Sequence, residues 1–317
     1  MRHAALVLLL TIASLTLIPT HSATLGINLK RFSPHPDTAS ITESNLYWFQ
    51  VGAYAASDTG YGDDFGQSVT GASVEIRVLD QKLTHADTDD SYWVGLNLPN
   101  DAFIQAGYTL NPQYNSGHPS WFWEYFLPGT AAEGTGGFLG DEWKSAGNNG
   151  TWVKFSITSS GTVWSAFDDD RLLGKIDLSI ANSGTSGPYA SAESAQTNWT
   201  DNILGPVEFR NLSYRDAYGV WHPATAAVTL CGYSVGSANY TGNYPYGVEG
   251  IPGENNRWLA GSGLQYTPEG QYIWPWYYVN VKSTLGSTTG SGWYTENSQV
   301  TPEAETTVPI SDNIPTA

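Results

Sequence analysis

Apolar and polar positions alternate with a period of two through most of this chain, which is the periodicity of strands rather than helices. VTGASVEIRVLDQKL sets Val74, Ile76 and Val78 against Glu75 and Arg77, a half-exposed antiparallel strand. LYWFQVGAYAA, from Leu46 to Ala56, predicts a first strand that ends in the Gly and Asp of SDTGYGDDFGQ. WVKFSIT and TVWSAFDD alternate on either side of Ser159-Ser160-Gly161, and LLGKIDLSI follows the turn Asp168-Asp169-Asp170, so these three form a meander. YASAESAQT and GPVEFRNLSYRD add two more strands, the second with Val207, Phe209, Leu212 and Tyr214 pointing inward. Eight or more short strands separated by turn residues predict an all-β fold, an antiparallel two-sheet sandwich of jelly-roll type.

The ends of the chain have a different character. Met1-Arg2-His3, the apolar run AALVLLLTIASLTLI and PTHSA read as a signal peptide over residues 1–23, followed by an irregular lead, 24–45, containing Pro34 and Pro36. The sandwich is expected over 46–219. Residues 220–294 alternate strand-like pieces (WHPATAAVTLCGYSVG, QYIWPWYYVNVKS) with the turn-rich NYTGNYPYGVEGIPGENN, and predict a β extension or a small second β domain. Residues 295–317 are acidic and rich in Thr and Pro, a disordered tail. Two further connections are expected as loops, the acidic His85 to Asp90 and the glycine-rich Gly129 to Gly140.

Composition narrows the function. Thirteen basic residues against thirty acidic ones give a formal charge of −17, which repels nucleic acid and anionic lipid and fits either simple solubility or work in acid. With one short apolar run, the mature protein is expected to be secreted, extracellular, monomeric and free of membrane. The lone Cys231 excludes an intrachain disulfide, and its neighbours Leu230, Gly232 and Tyr233 mark it as a small buried hydrophobe. Gly232-Tyr-Ser234-Val-Gly236 spells a nucleophile elbow, but SANYTGNYPYG cannot supply the helix an elbow needs. Scattered histidines and acidic turns predict neither metal nor cofactor.

The candidate chemistry lies in Tyr92 to Pro128, where Gln105 and Glu124 interrupt aromatic strands. As strands, FIQAGY carries Gln105 on the face of Phe103 and Gly107. WFWEYF carries Glu124 with Phe122 and Phe126, opposite Trp121, Trp123 and Tyr125. Polar groups in such places are costly to bury and useful in a cleft. Tyr92-Trp-Val-Gly-Leu, FIQAG, WFWEYF-x-P and SAES ahead of GPVEF resemble, in order and spacing, the motifs of the glutamic peptidases, the eqolisins. The resemblance covers roughly Leu46 to Tyr214 and implies a concanavalin-like double sheet. It also implies Gln105 and Glu193 as catalytic residues, Glu124 as the supporting glutamate and Trp93 as the cleft tryptophan. Asn97 stands where the family has Asp, and Ser194-Ala195 where it favours bulky residues.

Amide hydrolysis by water needs a base, an acid and an oxyanion donor; one glutamate with a carboxamide can serve all three. A glutamate acting as base in acid must be held ionised by hydrogen bonds, here from Gln105 and nearby hydroxyls. Trp93, Trp121, Trp123 and Trp48 are the candidates to seat an unfolded protein or peptide. Two other readings use the same residues. Glu124 and Glu193 can be the carboxyl pair of a glycosidase, and the aromatic face can be that of a carbohydrate-binding or cell-surface module without chemistry.

Overall fold

The computed structural model describes residues 47–81, 83, 88–112, 115–127, 134–139, 149–181, 186–196, 203–235, 245–282, 288–295 and 298–304. The expected signal peptide, the lead and residues 305–317 of the tail lie outside the described residues. In chain order the strands begin β1 Tyr47–Ala56, β2 Val69–Arg77, β3 Asp89–Asn97, β4 Phe103–Leu110, β5 Ser120–Phe126 and β6 Gly134–Leu139. They continue β7 Trp152–Ser160, β8 Val163–Asp168, β9 Arg171–Asp177, β10 Tyr189–Gln196, β11 Val207–Asp216, β12 Trp221–Pro223 and β13 Ala226–Val235. The last are β14 Tyr246–Gly250, β15 Arg257–Ser262, β16 Tyr272–Trp274, β17 Trp276–Val279, β18 Thr288–Thr289, β19 Gly292–Thr295 and β20 Glu303–Ala304. Among the described residues the only helical pieces are three-residue 3-10 turns.

Two antiparallel sheets of eight strands each make the sandwich. The first runs β16-β13-β1-β10-β3-β4-β5-β6; the second runs β14-β15-β11-β2-β7-β8-β9, with β12 paired to β11. Their facing sides meet in one core, with Phe49, Val51, Tyr92, Val94, Ile104 and Tyr108 from the first sheet against Val74, Ile76, Phe155, Ile157 and Trp164 from the second. The alternation read from the sequence is the cause: in β2, Val74 and Ile76 are fully buried while Arg77 is exposed. In β11 the phase slips by one residue. Asn211 adopts φ 58°, the register against β2 shifts between Arg210 and Ser213, and Phe209 and Leu212 both point inward although three residues apart. An asparagine tolerates this left-handed position better than most side chains, and the result is a β-bulge.

The chain after residue 220 belongs to the same sandwich. β13 pairs with β1 from Tyr47 to Ala56, and β16 adds to β13; on the other sheet β15 pairs with β11 and β14 with β15. Trp258 and Trp274 are fully buried, stacked on each other at 5.2 Å, and Trp258 stacks on Phe209 at 5.3 Å. The expected extension or second domain is thus, through β16, edge material of both sheets; only the short pairs β17–β19 and β18–β20 lie off them. β14 and β15 fall in and after a stretch that reads as turns because YGVEG is short and glycine-rich, and β6 lies in the connection expected to be a loop. β3 likewise begins at Asp89, inside the expected acidic loop.

A chain ending at residue 219 should therefore fail to fold cooperatively, since it strips one side of β1, the outer partner of β11, and the Trp258–Trp274 stack. Thermal unfolding followed by circular dichroism checks this. A cooperative transition at the full-length temperature would show that residues 220–317 are dispensable to the core.

Candidate active site

Alternation and register together place Glu193, Gln105 and Glu124 on one face of the first sheet, the face turned away from the shared core. Reading across β1, β10, β3, β4 and β5, one row holds Tyr54, Tyr189, Gly95, Gln105 and Glu124. The next holds Gly52, Ser191, Trp93, Gly107 and Phe122, and the next Gln50, Glu193, Ser91, Thr109 and Ser120. Gln105, Glu124 and Glu193 are all buried, at 2%, 5% and 5% exposure. Tyr54, Trp93, Phe122, Tyr189, Val228 and Leu230 form a second apolar cluster on this face.

The polar groups are held as two pairs. Gln105 Nε2 donates to Glu124 Oε2 at 2.8 Å, and Trp93 Nε1 donates to Glu193 Oε2 at 3.1 Å. Gln105 and Glu193 do not touch. They are two strands and two side-chain rows apart, which in a flat sheet would put their Cα atoms roughly 16 Å apart. Trp93 spans the interval. Its Nε1 end reaches Glu193 while Cζ3 lies over Gly95, where an added Cβ would stand 2.9 Å from that atom. Gly107 allows β4 to close on β3 under the same ring, since a Cβ there would lie 2.6 Å from the Trp93 Cα. Tyr189 meets Trp93 edge-on at 5.4 Å and donates its hydroxyl to Asn97 Oδ1 at 3.0 Å. Asn97 thus fixes an aromatic wall of the site.

The tryptophans divide. Trp93 lies on the site face. Trp121 and Trp123 do not: strand alternation sends them to the opposite face of β5, where they are buried in the core. Trp121 packs edge-on against Phe155 at 5.4 Å, and Trp123 fills the space above Gly174 of β9, whose Cβ would collide with it at 2.0 Å. They support the sheet and cannot line a cleft on its other side. Trp48 is in β1, and its side chain lies outside what is described.

The surroundings of Glu193 favour its protonated form. Burial pushes its carboxyl up to about 8; the charge of Asp89 pushes the same way, and the Trp93 N–H pulls only partly back. This corrects the expectation of an ionised glutamate held by Gln105 and hydroxyls: Gln105 is turned to Glu124, and one donor does not outweigh burial. The surroundings explain why. None of the eight strands of this sheet contains a Lys, Arg or His, whereas Arg77, Lys154, Arg171, Lys175, Arg210, Arg215, Arg257 and His222 all sit on strands of the other sheet.

Several polar groups here were not singled out by motif. Asp89, 6% exposed, accepts from Thr109 Oγ1, and its Oδ2 accepts from Asn111 Nδ2 at 3.3 Å. Stepping back by two from Trp93 gives Ser91 and Asp89 on its face, a signal available once β3 is known to start so early. The buried hydroxyls of Ser91 and Ser120 and Gln105 Oε1 have no protein partner, so a water or a substrate group can bond there. Elsewhere, Cys231 donates its thiol to the Thr267 carbonyl at 3.0 Å, and burial pushes it up to about 12, which suits an inert thiol. Ser234 lies within strand β13 rather than at an elbow. Among the described residues no group of three or more His, Cys, Asp or Glu could hold a metal ion.

No family model matches the sequence, and no curated protein matches it. Among solved structures the chain is similar to scytalido-glutamic peptidase with a peptide-based transition-state analogue, at 14% identity and TM-score 0.37, over 70% of this chain and 99% of that one. It is similar to a galectin from Caenorhabditis elegans at 13% identity and TM-score 0.26, over 49% of this chain and 97% of that one. A β-glucanase from Bacillus licheniformis matches at 10% identity and TM-score 0.29, over 46% of this chain and 64% of that one. These are distant likenesses of fold, so the site is judged on its own geometry.

Because the folded protein holds the Glu193 proton up to about 8 and an unfolded glutamate releases it near its ordinary value of 4.5, folding binds a proton between those values. That contribution is complete below the unfolded value and is lost as pH rises, on the order of 1 kcal/mol per pH unit. Glu193→Gln should therefore leave stability near pH 4 almost unchanged and raise it at pH 7 to 8. Urea unfolding across this range checks it; equal losses at both ends would contradict it.

Proposed function

We propose that this face is the active cleft of a secreted endopeptidase of the glutamic type, acting on unfolded protein in acid. The observation that carries the reading is a buried Glu193 and a buried Gln105 on one sheet face, with the Trp93 indole lying between them. Four motifs in family order add to it. Below about 8 Glu193 starts as an acid, so its first step on a bound peptide is to give its proton to the carbonyl oxygen or the departing nitrogen. The carboxylate so formed then accepts a proton from the attacking water, which returns Glu193 to its initial state. Gln105 has a second N–H beyond the one given to Glu124, and a neutral carboxamide can stabilise an oxyanion at any pH. Gln105 and Glu193 stand roughly 16 Å apart at Cα with the Trp93 indole between them, so a peptide group shared by both requires Gln105 to turn from Glu124 and Trp93 to move aside.

Geometry weakens the glycosidase alternative. Glu124 and Glu193 are three strands and two rows apart, roughly 20 Å between Cα atoms in a flat sheet. With each side chain reaching about 5 Å, about 10 Å remains between the two carboxyls, at the outer edge of the roughly 5 to 9.5 Å of carboxyl pairs that cleave glycosides. Glu124 is also engaged by Gln105.

The test is digestion of casein or haemoglobin from pH 2 to 8 beside a panel of β-glucans and xylan. Glu193→Gln should abolish proteolysis, and Gln105→Ala should lower it roughly 10²- to 10³-fold, the cost of one oxyanion donor. Sugar release without proteolysis would move the case to a carbohydrate enzyme, and silence on both panels to a binding module.

A further inference from the structure

Gln50 of β1 stands directly opposite Glu193 of β10, on the side away from Ser91. Its neighbours Phe49 and Val51 are fully buried in the shared core, so alternation turns Gln50 to the site face, where it is half-buried. Side chains paired in this way have Cβ atoms about 4.5 to 5.5 Å apart. Gln105, by contrast, is two strands and two rows from Glu193, with the Trp93 indole between them. The carboxamide beside Glu193 is thus Gln50. The face is low around it: its partner across β13 is Gly232, and the next residue of β1 on this side is Gly52, so neither position adds a side chain. Trp93 holds Glu193 by Oε2 and leaves the other oxygen for substrate. Gln50 has a partner already, but a carboxamide carries two N–H donors and an oxygen that accepts twice, more than one contact uses.

We propose that Gln50 is a second catalytic carboxamide of this site, donating a hydrogen bond to the same peptide carbonyl oxygen that Glu193 addresses. The proposal rests on the reading of Glu193 as the proton-transferring group. An oxygen seated between the two side-chain ends meets the Glu193 O–H from one side and a Gln50 Nε2–H from the other. As water adds to the carbonyl carbon, that oxygen gains negative charge, and a fixed neutral donor stabilises the charged oxygen more than the ground-state carbonyl. Gln50 makes and breaks no covalent bond and keeps its protons, so the proton transfers remain those between Glu193, water and peptide. Gln105 comes within reach of this oxygen only after Trp93 has moved aside, whereas Gln50 needs no such movement.

The experiment uses Gln50→Met, which keeps the length of the side chain and removes its donors, with Gln50→Ala as the second variant should the first not fold. On a fluorogenic casein-derived peptide, kcat should fall roughly 10²- to 10³-fold while KM stays within about threefold, a split that a merely structural role would not produce. A second measurement needs no turnover. Calorimetry follows a casein-derived peptide whose central carbonyl is replaced by a hydroxyl-bearing tetrahedral carbon, binding to the full chain, to Gln50→Met, to Glu193→Gln and to the double variant. If both side chains address one oxygen, the double variant should lose less affinity than the two single losses multiplied together. Unchanged kcat in a folded Gln50 variant, with independent losses in binding, overturns the role of Gln50 and leaves the peptidase reading standing. Coupled losses in a protein that digests nothing support the shared oxygen site and overturn only the peptidase reading. A chain that neither cleaves nor binds these peptides overturns both.

Discussion

A carboxyl group buried among strands that carry no Lys, Arg or His must keep its proton or be surrounded by donors, and the first sheet is built around that constraint. Its strands have acids and no bases. Thr109 and Asn111 donate to Asp89, Trp93 donates to Glu193 and Gln105 donates to Glu124, so each of these acids meets a neutral donor. The aromatic surroundings follow. Trp93 is the residue type that offers a wide apolar surface and a single N–H, and Tyr189 braces it while bonding to Asn97.

The same sheet must also close a core on its other side. Each strand of the site therefore carries two unrelated sets of residues, one read by odd positions and one by even. In β5 the division is sharp: Phe122 and Glu124 serve the site, while Trp121 and Trp123 fill the interior over Phe155 and Gly174. Enlarging Gly174 on the second sheet would push Trp123 and with it the strand that holds Glu124, so the accuracy of the site depends on packing in the layer beneath.

Much of this was legible in the sequence, because period-two alternation survives in β2, β7 and β8 and because Gln105 of β4, Glu124 of β5 and Glu193 of β10 fall in phase with Trp93 of β3. What was not legible has identifiable causes. β14 and β15 hide among glycines and turn formers, and their pairing with β11 is a tertiary matter that no local pattern encodes. Asp89 looked like loop because acidic residues usually are, and only its pairing with Thr109 and Asn111 makes it interior. The ionisation of Glu193 was misjudged from sequence since it depends on the absence of cations across neighbouring strands, a property of strand order. Trp121 and Trp123 were drawn to the cleft by residue type, although their phase already opposed it.

Strand order has one more consequence, for the way the chain reaches this state. β1, the first of the described strands, lies between β10 and β13, so Phe49 waits for Ser194 on one side and Tyr233 on the other. Contacts of such sequence separation make folding slow, since a long loop must close before any of them is gained. During synthesis neither edge of β1 has its partner until most of the sandwich has been made, and over that interval its backbone donors stand open to other chains. The sheet that holds the site is completed late, since β13 begins at Ala226 and the edge strand β16 at Tyr272, both after Glu193 in sequence.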